Sequence, residues 1–172
     1  MDSFNTKGLQ QGFTLIEVLI TIAIAAILLS IVVPSFTSLI ESSKARTTRE
    51  KLVSSIYAAK QQSQSERINV YLCSTSNGTS CLDTTSWGSD WLIYEDNDIS
   101  GDLSNNDTII TNGSSKTSLI ISSTNQVKFT PTGHSSANTF QVCNNTDKSV
   151  VYEVELNRMG HVSYPDASGV CP

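Results

Sequence analysis

Apolar residues are concentrated in one stretch near the start of the 172-residue chain, at residues 13–33. This stretch is 21 residues long. As a helix it would extend about 31 Å, at about 1.5 Å per residue. The hydrocarbon core of a bilayer is about 30 Å thick. The pattern therefore predicts a helix that crosses a membrane once, preceded by a polar segment of residues 1–12.

The next segment, residues 34–67, has the pattern of an amphipathic helix. Its apolar residues recur at spacings close to the helical repeat, with Ser, Lys, Arg and Gln between them. We expect one continuous helix from about residue 13 to about residue 66, with Pro34 either kinking it or locally melting it. The apolar positions are Phe36, Leu39, Ile40, Leu52, Val53, Ile56 and Tyr57.

Residues 68–172 contain short β-type runs separated by polar turns, which is typical of antiparallel sheets. Residues 150–156, for example, place Tyr152, Val154 and Leu156 on one face of a strand. The predicted fold class is α+β, with a long N-terminal helix packed on a C-terminal antiparallel β head. The runs are 68–73, 91–94, 108–111, 118–122, 126–130, 139–143, 150–156 and 161–164.

All four cysteines lie in the head, after the apolar stretch. An even number of cysteines in a small polar head indicates two disulfides formed in an oxidising compartment. Three pairings are possible. The favoured one joins Cys73 to Cys81, which closes a short loop, and Cys143 to Cys171, which pins the C-terminal end of the chain.

Charge is distributed unevenly along the chain. Residues 68–172 hold eleven acidic residues against four basic ones, a formal charge of −7. Such a head disfavours a broad phosphate-binding face. Basic residues cluster at 44–51, with Glu41 and Glu50 among them, which is typical of a solvated surface that faces neighbouring subunits.

Glu17 is the one charged residue in the apolar stretch. A carboxylate near the centre of a membrane costs about 2.5–3.5 kcal/mol on insertion scales, so such a residue usually has a partner and a function. Two interpretations are open. Glu17 either snorkels to water from near the interface, or it pairs with a cation from another subunit. Cleavage after Gly12 would create such a cation, the α-amine of Phe13.

Residues 12–19 (GFTLIEVL) resemble the processing site of type IV prepilins and type II secretion pseudopilins. The resemblance implies that a prepilin peptidase removes residues 1–12 as a leader, cutting between Gly12 and Phe13 and methylating the new N-terminal Phe13. It also implies that Glu17 pairs with the N terminus of a neighbouring subunit during assembly. Pro34 matches a proline that is common in these helices.

The head resembles the GspH/FimT/FimU branch of minor pilins and pseudopilins. The order of its motifs carries this resemblance. The implied function is that of a structural subunit, which initiates or caps assembly of a type IV pilus or a type II secretion pseudopilus. The motifs are VYLC at 70–73, WLIYED at 91–96, FTPTG at 129–133 and TFQVC at 139–143.

The same resemblance implies partners and a location. The partners are other major and minor pilins or pseudopilins, the prepilin peptidase and the bacterial inner membrane. The chain would cross that membrane once, with its head in the periplasm, and would reach the pilus, pseudopilus or cell surface after assembly. No nucleophile, zinc or nucleotide-binding motif is present, so we expect no enzymatic activity.

DNA capture during natural transformation is an alternative function, implied by the resemblance to FimT-type pilins. The family feature for that activity is a Gly-Arg-x-Arg-like stretch near the C terminus. The matching residues 160–163 (GHVS) lack both arginines, and only Arg158 and His161 remain nearby. With so few cations on an acidic head, DNA affinity should be low at physiological salt, although DNA contact by these two residues stays open.

Residues 96–107 (DNDISGDLSNND) partly follow the spacing of a calcium-binding loop. Two features depart from that pattern, because an Asp replaces the longer Glu at position 12 and strands flank the loop in place of helices. The alternative is an acidic hairpin loop of good turn formers. The candidate Ca²⁺ residues are Asp96, Asp98, Ser100, Asp102 and Asp107, with Gly101 at position 6.

Overall fold

The computed structural model describes residues 13–171 except 89, 116–117 and 145–148, and the side chains of residues 32–35 and 38 are also outside the description. The predicted leader, residues 1–12, therefore lies outside the described residues. The chain forms two compact units, Met1–Leu39 and Ile40–Pro172.

One helix, α1 (Leu15–Glu66), contributes to both units. In the first unit, every residue from 13 to 31 is exposed, including twelve large apolar side chains. No helix within the described residues is both long enough and apolar enough to span a membrane. The predicted span, residues 13–33, ends in two residues whose side chains lie outside the described residues. α1 remains helical through Pro34, so the predicted local melting is not observed.

The second unit contains the remainder of α1 and two antiparallel sheets. The four-stranded sheet has the order β4-β3-β1-β6, and the five-stranded sheet has the order β2-β5-β7-β8-β9. The strands are β1 (Val70–Ser74), β2 (Ser86–Gly88), β3 (Asp90–Glu95), β4 (Thr108–Ser114), β5 (Leu119–Ser122), β6 (Gln126–Phe129), β7 (Asn138–Cys143), β8 (Val150–Leu156) and β9 (Val162–Ser163).

The α+β fold predicted from sequence is confirmed, and each of the eight predicted runs overlaps one strand. One observed strand, β2, was not predicted from the sequence. It has three residues, too few to show an alternating pattern, yet its Trp87 is 1% exposed and packs edge-on against Phe140 with ring centroids 5.1 Å apart. Trp87 therefore belongs to the core between the sheets and the helix.

The buried stripe of α1 is narrower than hydrophobicity predicted. Leu52 and Ile56 are fully buried, but Phe36, Leu39 and Tyr57 are exposed. Small side chains complete the stripe, and the hydroxyls among them bond to α1 carbonyls, Thr48 to Lys44 at 3.0 Å and Ser63 to Lys60 at 2.8 Å. The buried residues recur every three or four positions: Ala45, Thr48, Leu52, Ile56, Ala59 and Ser63.

Polar residues of α1 tie the helix to the head. The indole N–H of Trp91 donates to Ser55 Oγ at 2.9 Å, and the Lys60 ammonium donates to the carbonyls of Met159 and Gly160 at 3.1 Å each. The Arg49 guanidinium lies 4.4 Å from the ring centroid of Tyr152. Part of the basic cluster predicted to face other subunits is thus directed at the chain's own head.

The four-stranded sheet is covered on both faces, which is why all five residues of β1 are buried. Val70 and Leu72 face the main core. Tyr71 and Cys73 face the other way and form a second apolar cluster with Leu92 and Tyr94 of β3, against which Leu103 and Cys81 pack. The loop between β3 and β4 therefore lies over the outer face of this sheet.

Gly113 of β4 makes room for a core tryptophan, and we expect Gly113→Ala to destabilise the head. A Cβ at this position would lie 2.1 Å from Trp91 Nε1 and 2.2 Å from Cε2. Overpacking of this kind typically costs about 1–3 kcal/mol. Urea unfolding of the full chain in detergent, followed by tryptophan fluorescence, measures the change.

Thr111→Ala is the matched control, because Thr111 lies in the same strand and is exposed. It should change the free energy of unfolding by less than about 0.5 kcal/mol, as exposed substitutions usually do. Equal destabilisation by the two variants would contradict the packing role of Gly113.

Candidate functional site

The first candidate site is the start of α1, around Phe13, Thr14 and Glu17. Thr14 caps the helix, because its Oγ1 accepts the backbone N–H of Glu17 at 3.3 Å. Glu17 stands in the first turn, where a carboxylate also interacts favourably with the helix dipole. Among the described residues, no basic group forms an ion pair with the Glu17 carboxylate.

Sequence reasoning missed the cap, although a signal for it was present. Thr14-Leu15-Ile16-Glu17 has the Thr-x-x-Glu spacing of a capping box. The bond that is observed uses only the backbone N–H of Glu17, so it leaves the carboxylate available for a role between subunits. Phe13 is 80% exposed, whereas Gly12, on the other side of the predicted cleavage point, lies outside the described residues.

The head carries two disulfides, Cys73–Cys81 and Cys143–Cys171, which are the pairings that the sequence favoured. The first connects β1 to a turn in which Asn77 Oδ1 accepts the backbone N–H groups of Thr79 and Ser80 at 2.9 and 3.0 Å. The second connects the end of β7 to Cys171. Each disulfide thus fastens a cysteine outside the strands, Cys81 or Cys171, to a strand of the head.

The second candidate site is the acidic loop, residues 96–107, between β3 and β4. Asp96, Asp98 and Asp107 each offer one carboxylate oxygen, and these oxygens lie within 4.8 Å of one another. They occupy positions 1, 3 and 12 of the sequence pattern. Asp102 does not belong to this group of carboxylates. Ser100 lies beside it, because its backbone N–H donates to Asp98 Oδ1 at 3.1 Å. The Ser100 hydroxyl also donates to the Asp102 carbonyl at 2.9 Å.

The three carboxylates differ in their surroundings. Asp98 is exposed, and hydrogen bonding from Ser100 and then Ser104 lowers the pKa of its carboxyl to about 2. Asp107 accepts the backbone N–H groups of Asn97 and Ser104 at 2.8 and 2.7 Å. Asp96 is only 1% exposed, and its Oδ1 is buried without a hydrogen-bond partner. Its other oxygen accepts the Gly101 N–H at 3.3 Å.

The loop is fastened to the sheet beneath it through Gly101. The Gly101 carbonyl accepts the Tyr94 hydroxyl at 3.1 Å and Gln126 Nε2 at 3.2 Å. Burial raises the pKa of Tyr94, which stacks on Tyr71 with ring centroids 5.3 Å apart. Gly101 has a φ of +82°, which favours glycine. This attachment holds the acidic side chains over one face of the sheet.

Arg158 and His161 lie in the turn between β8 and β9, and both are exposed. The turn is ordered by Asn157, whose Oδ1 accepts the backbone N–H groups of Met159 and His161 at 2.9 and 3.1 Å. The nearby Lys60 ammonium is bonded to carbonyls of the same turn. The structure therefore brings one arginine and one histidine together here, not a cluster of arginines.

Two family profiles match the sequence. The first, described as "Type II transport protein GspH", covers residues 48–160. The second, described as "Prokaryotic N-terminal methylation motif", covers residues 7–33, which include Gly12, Phe13 and Glu17. Among curated proteins, no significant match was found.

Two crystal structures of the type IV minor pilin FimU from Pseudomonas aeruginosa (strain PAO1) have a similar fold. One, in space group P65, has a TM-score of 0.55 and 15% identity, with 74% of this chain and 99% of that chain covered. The other, in space group P21, has a TM-score of 0.58 and 15% identity, with 76% and 96% covered. The profile match extends over most of the chain, so the protein belongs to the GspH family and carries the N-terminal methylation motif of prokaryotic pilin-like proteins.

Proposed function

We propose that the protein is a minor pilin or pseudopilin that initiates or caps assembly of a filament, either a type IV pilus or a type II secretion pseudopilus. Family membership supports the pilin-like class. The assembly role depends on one observation: α1 is apolar and exposed on all sides over residues 13–31.

A helix that is apolar all round needs cover from lipid or from other helices. Complete burial of one large apolar side chain is worth about 1.5–3 kcal/mol. Twelve such side chains are exposed between Phe13 and Ile31, and none of them belongs to a core cluster of the chain. Packing against the equivalent helices of other pilins would supply a large part of that free energy.

Glu17 gives this packing a defined register in our proposal. A prepilin peptidase would cut between Gly12 and Phe13 and methylate Phe13, which leaves a cationic N terminus. The carboxylate of one subunit would then pair with the N terminus of its neighbour, where low polarity strengthens the attraction. Before assembly, residues 13–33 would hold the protein in the inner membrane, with the head in the periplasm.

The head's role in the proposal is structural and not catalytic. Its two disulfides and double-sided sheet make a well-packed body together with the C-terminal part of α1. His134 illustrates its use of polar side chains: Nδ1 lies 2.9 Å from the hydroxyl of Thr132 within one turn. We propose that the protein works by contact with other pilins and turns over no substrate.

The function predicts a loss of filaments when the gene is deleted. We expect surface pili, counted by electron microscopy, to be absent or scarce in the deletion strain and restored by complementation. If pili are normal but export of type II substrates is lost, the subunit belongs to the pseudopilus. Normal pili together with normal secretion would contradict the assembly role.

Glu17→Gln separates the charge of Glu17 from its position in the capping box. Glutamine is tolerated at this capping position, so the helix should still start at Thr14. Because the glutamine has no charge to pair with a neighbouring N terminus, we expect complementation by Glu17→Gln to restore less than about a tenth of the wild-type filaments. A loss of one ion pair worth about 1.4 kcal/mol corresponds to a tenfold change in an equilibrium constant.

The matched control is Glu41→Gln on the same helix. Glu41 pairs with Lys44 at 2.8 Å on the half-buried surface of the helix, and ion pairs at the surface contribute little. Immunoblots of membrane fractions must show equal amounts of both variants. Wild-type filament numbers with Glu17→Gln would rule out charge pairing by Glu17.

DNA capture is the competing function, and it predicts a different result. We expect the full chain in detergent micelles to bind duplex DNA with a Kd weaker than about 10⁻⁴ M at physiological salt, which is weaker than typical non-specific binding. Fluorescence anisotropy measures this affinity. Micromolar binding with a steep salt dependence that Arg158→Ala removes would favour DNA capture instead.

A variant with added arginines serves as the positive control for the DNA-binding measurement. His161→Arg together with Ser163→Arg creates the Gly-Arg-x-Arg spacing. Both positions are exposed, the first in the β8–β9 turn and the second in β9. Each added cation that contacts a phosphate strengthens binding and its salt dependence. We expect at least about tenfold tighter binding by this variant at low salt.

A further inference from the structure

We infer that the acidic loop, residues 96–107, binds one calcium ion through the carboxylates of Asp96, Asp98 and Asp107. This inference concerns the head alone and does not depend on the filament in which the subunit works. It distinguishes between the two interpretations that the sequence left open for this loop.

The geometry of the three carboxylates is the first argument. Calcium binds oxygen ligands at about 2.3–2.6 Å, so two ligands of one ion are at most about 5.2 Å apart. The three oxygens lie within 4.8 Å of one another, inside that span. Because Asp96 and Asp107 are eleven positions apart in sequence, the loop has to fold back on itself to bring them together.

The burial of Asp96 is the second and independent argument. Its side chain is 1% exposed, and Oδ1 has no hydrogen-bond partner. A buried carboxylate normally has an ion pair, a metal or a full set of hydrogen-bond donors. Among the described residues no lysine or arginine pairs with it, and its other oxygen accepts a single N–H, from Gly101. A cation would supply the partner that this oxygen lacks.

The loop positions the other two ligands from opposite ends. Asp107 is oriented by the N–H groups of Asn97 and Ser104, and Asp98 accepts the Ser104 hydroxyl at 2.9 Å. Carboxylate oxygens have two lone pairs each, so these bonds leave room for a metal. Waters complete the coordination shell.

Calcium fits this site better than magnesium. Calcium accepts six to eight oxygens in flexible geometry, whereas magnesium requires near-ideal octahedral geometry at about 2.0–2.1 Å and keeps most of its waters. A short Asp in place of Glu at position 12 still delivers a carboxylate here, because strands β3 and β4 bring both ends of the loop together. The pairing of Glu95 with Thr108 places Asp96 and Asp107 one residue beyond the last pair.

Isothermal titration calorimetry tests the inference on the full chain in detergent, after treatment with a chelator. We expect one calcium per chain with a Kd between about 10⁻⁵ and 10⁻³ M, from the weakest sensor sites to the extracellular modules. Asp98→Asn and Asp107→Asn should each weaken binding at least about tenfold, since each removes a charged ligand.

Asp102→Asn is the matched control, because it makes the same change in the same loop at a residue outside the group. It should change the Kd less than about threefold. Because Asp98 is exposed, the Asp98→Asn variant should fold even if a substitution of the buried Asp96 prevents folding. No heat of binding up to about 10 mM calcium would overturn the inference. So would an equal loss of affinity with Asp102→Asn, or equal affinity for magnesium, since both indicate diffuse attraction by acidic charge.

Discussion

The packing of one narrow stripe of α1 against both sheets is the interaction on which the head depends. Leu52, Ile56 and Ala59 are fully buried, and they join Trp91 and Phe129 in one core. Small residues continue the stripe, so larger apolar side chains of the same helix, such as Tyr57, remain outside the core. The same helix therefore provides a core element for the head and, toward its N terminus, an apolar rod that its own chain leaves exposed.

Because the helix packs on one face of the four-stranded sheet, the outer face needs a separate cover. Tyr71 and Tyr94 point away from the helix and would face water if the loop between β3 and β4 did not cover them. The cover is polar, and it is attached at Gly101 and packed through Leu103. Burial of the first carboxylate, Asp96, is a consequence of that attachment. The loop that shields the sheet is thus the same loop that holds the carboxylates we assign to calcium.

Much of this fold could be predicted from sequence, because the helical and β-type patterns are long and regular. The sequence pattern did not predict burial correctly where burial depends on contacts with distant parts of the chain. Trp87 is in a strand of three residues, and its burial depends on Phe140 far along the chain. Tyr57 fits the helical repeat but is 47% exposed, while Ala45 and Thr48 are buried, because the sheets contact a different face from the one that hydrophobicity favours.

The candidate sites divide in the same way. Spacing alone grouped Asp96, Asp98 and Asp107, but it also suggested Asp102, and only the folded loop shows that Asp102 is outside the group. Burial of Asp96 could not be predicted, because it depends on residues from several strands. The Thr14 cap is local and was visible as a four-residue pattern.

Gly113 has a consequence for how heads behave when crowded together. It lies in β4, an edge strand of the four-stranded sheet, and Trp91 occupies the space that a side chain would need. Unpaired edges invite another chain to add as an extra strand. Glycine weakens a strand's preference for extended pairing, so the residue required by the tryptophan also lowers the tendency of the edge to recruit a neighbour. Wherever two heads meet in the proposed filament, this restraint favours docking between folded surfaces over exchange of strands.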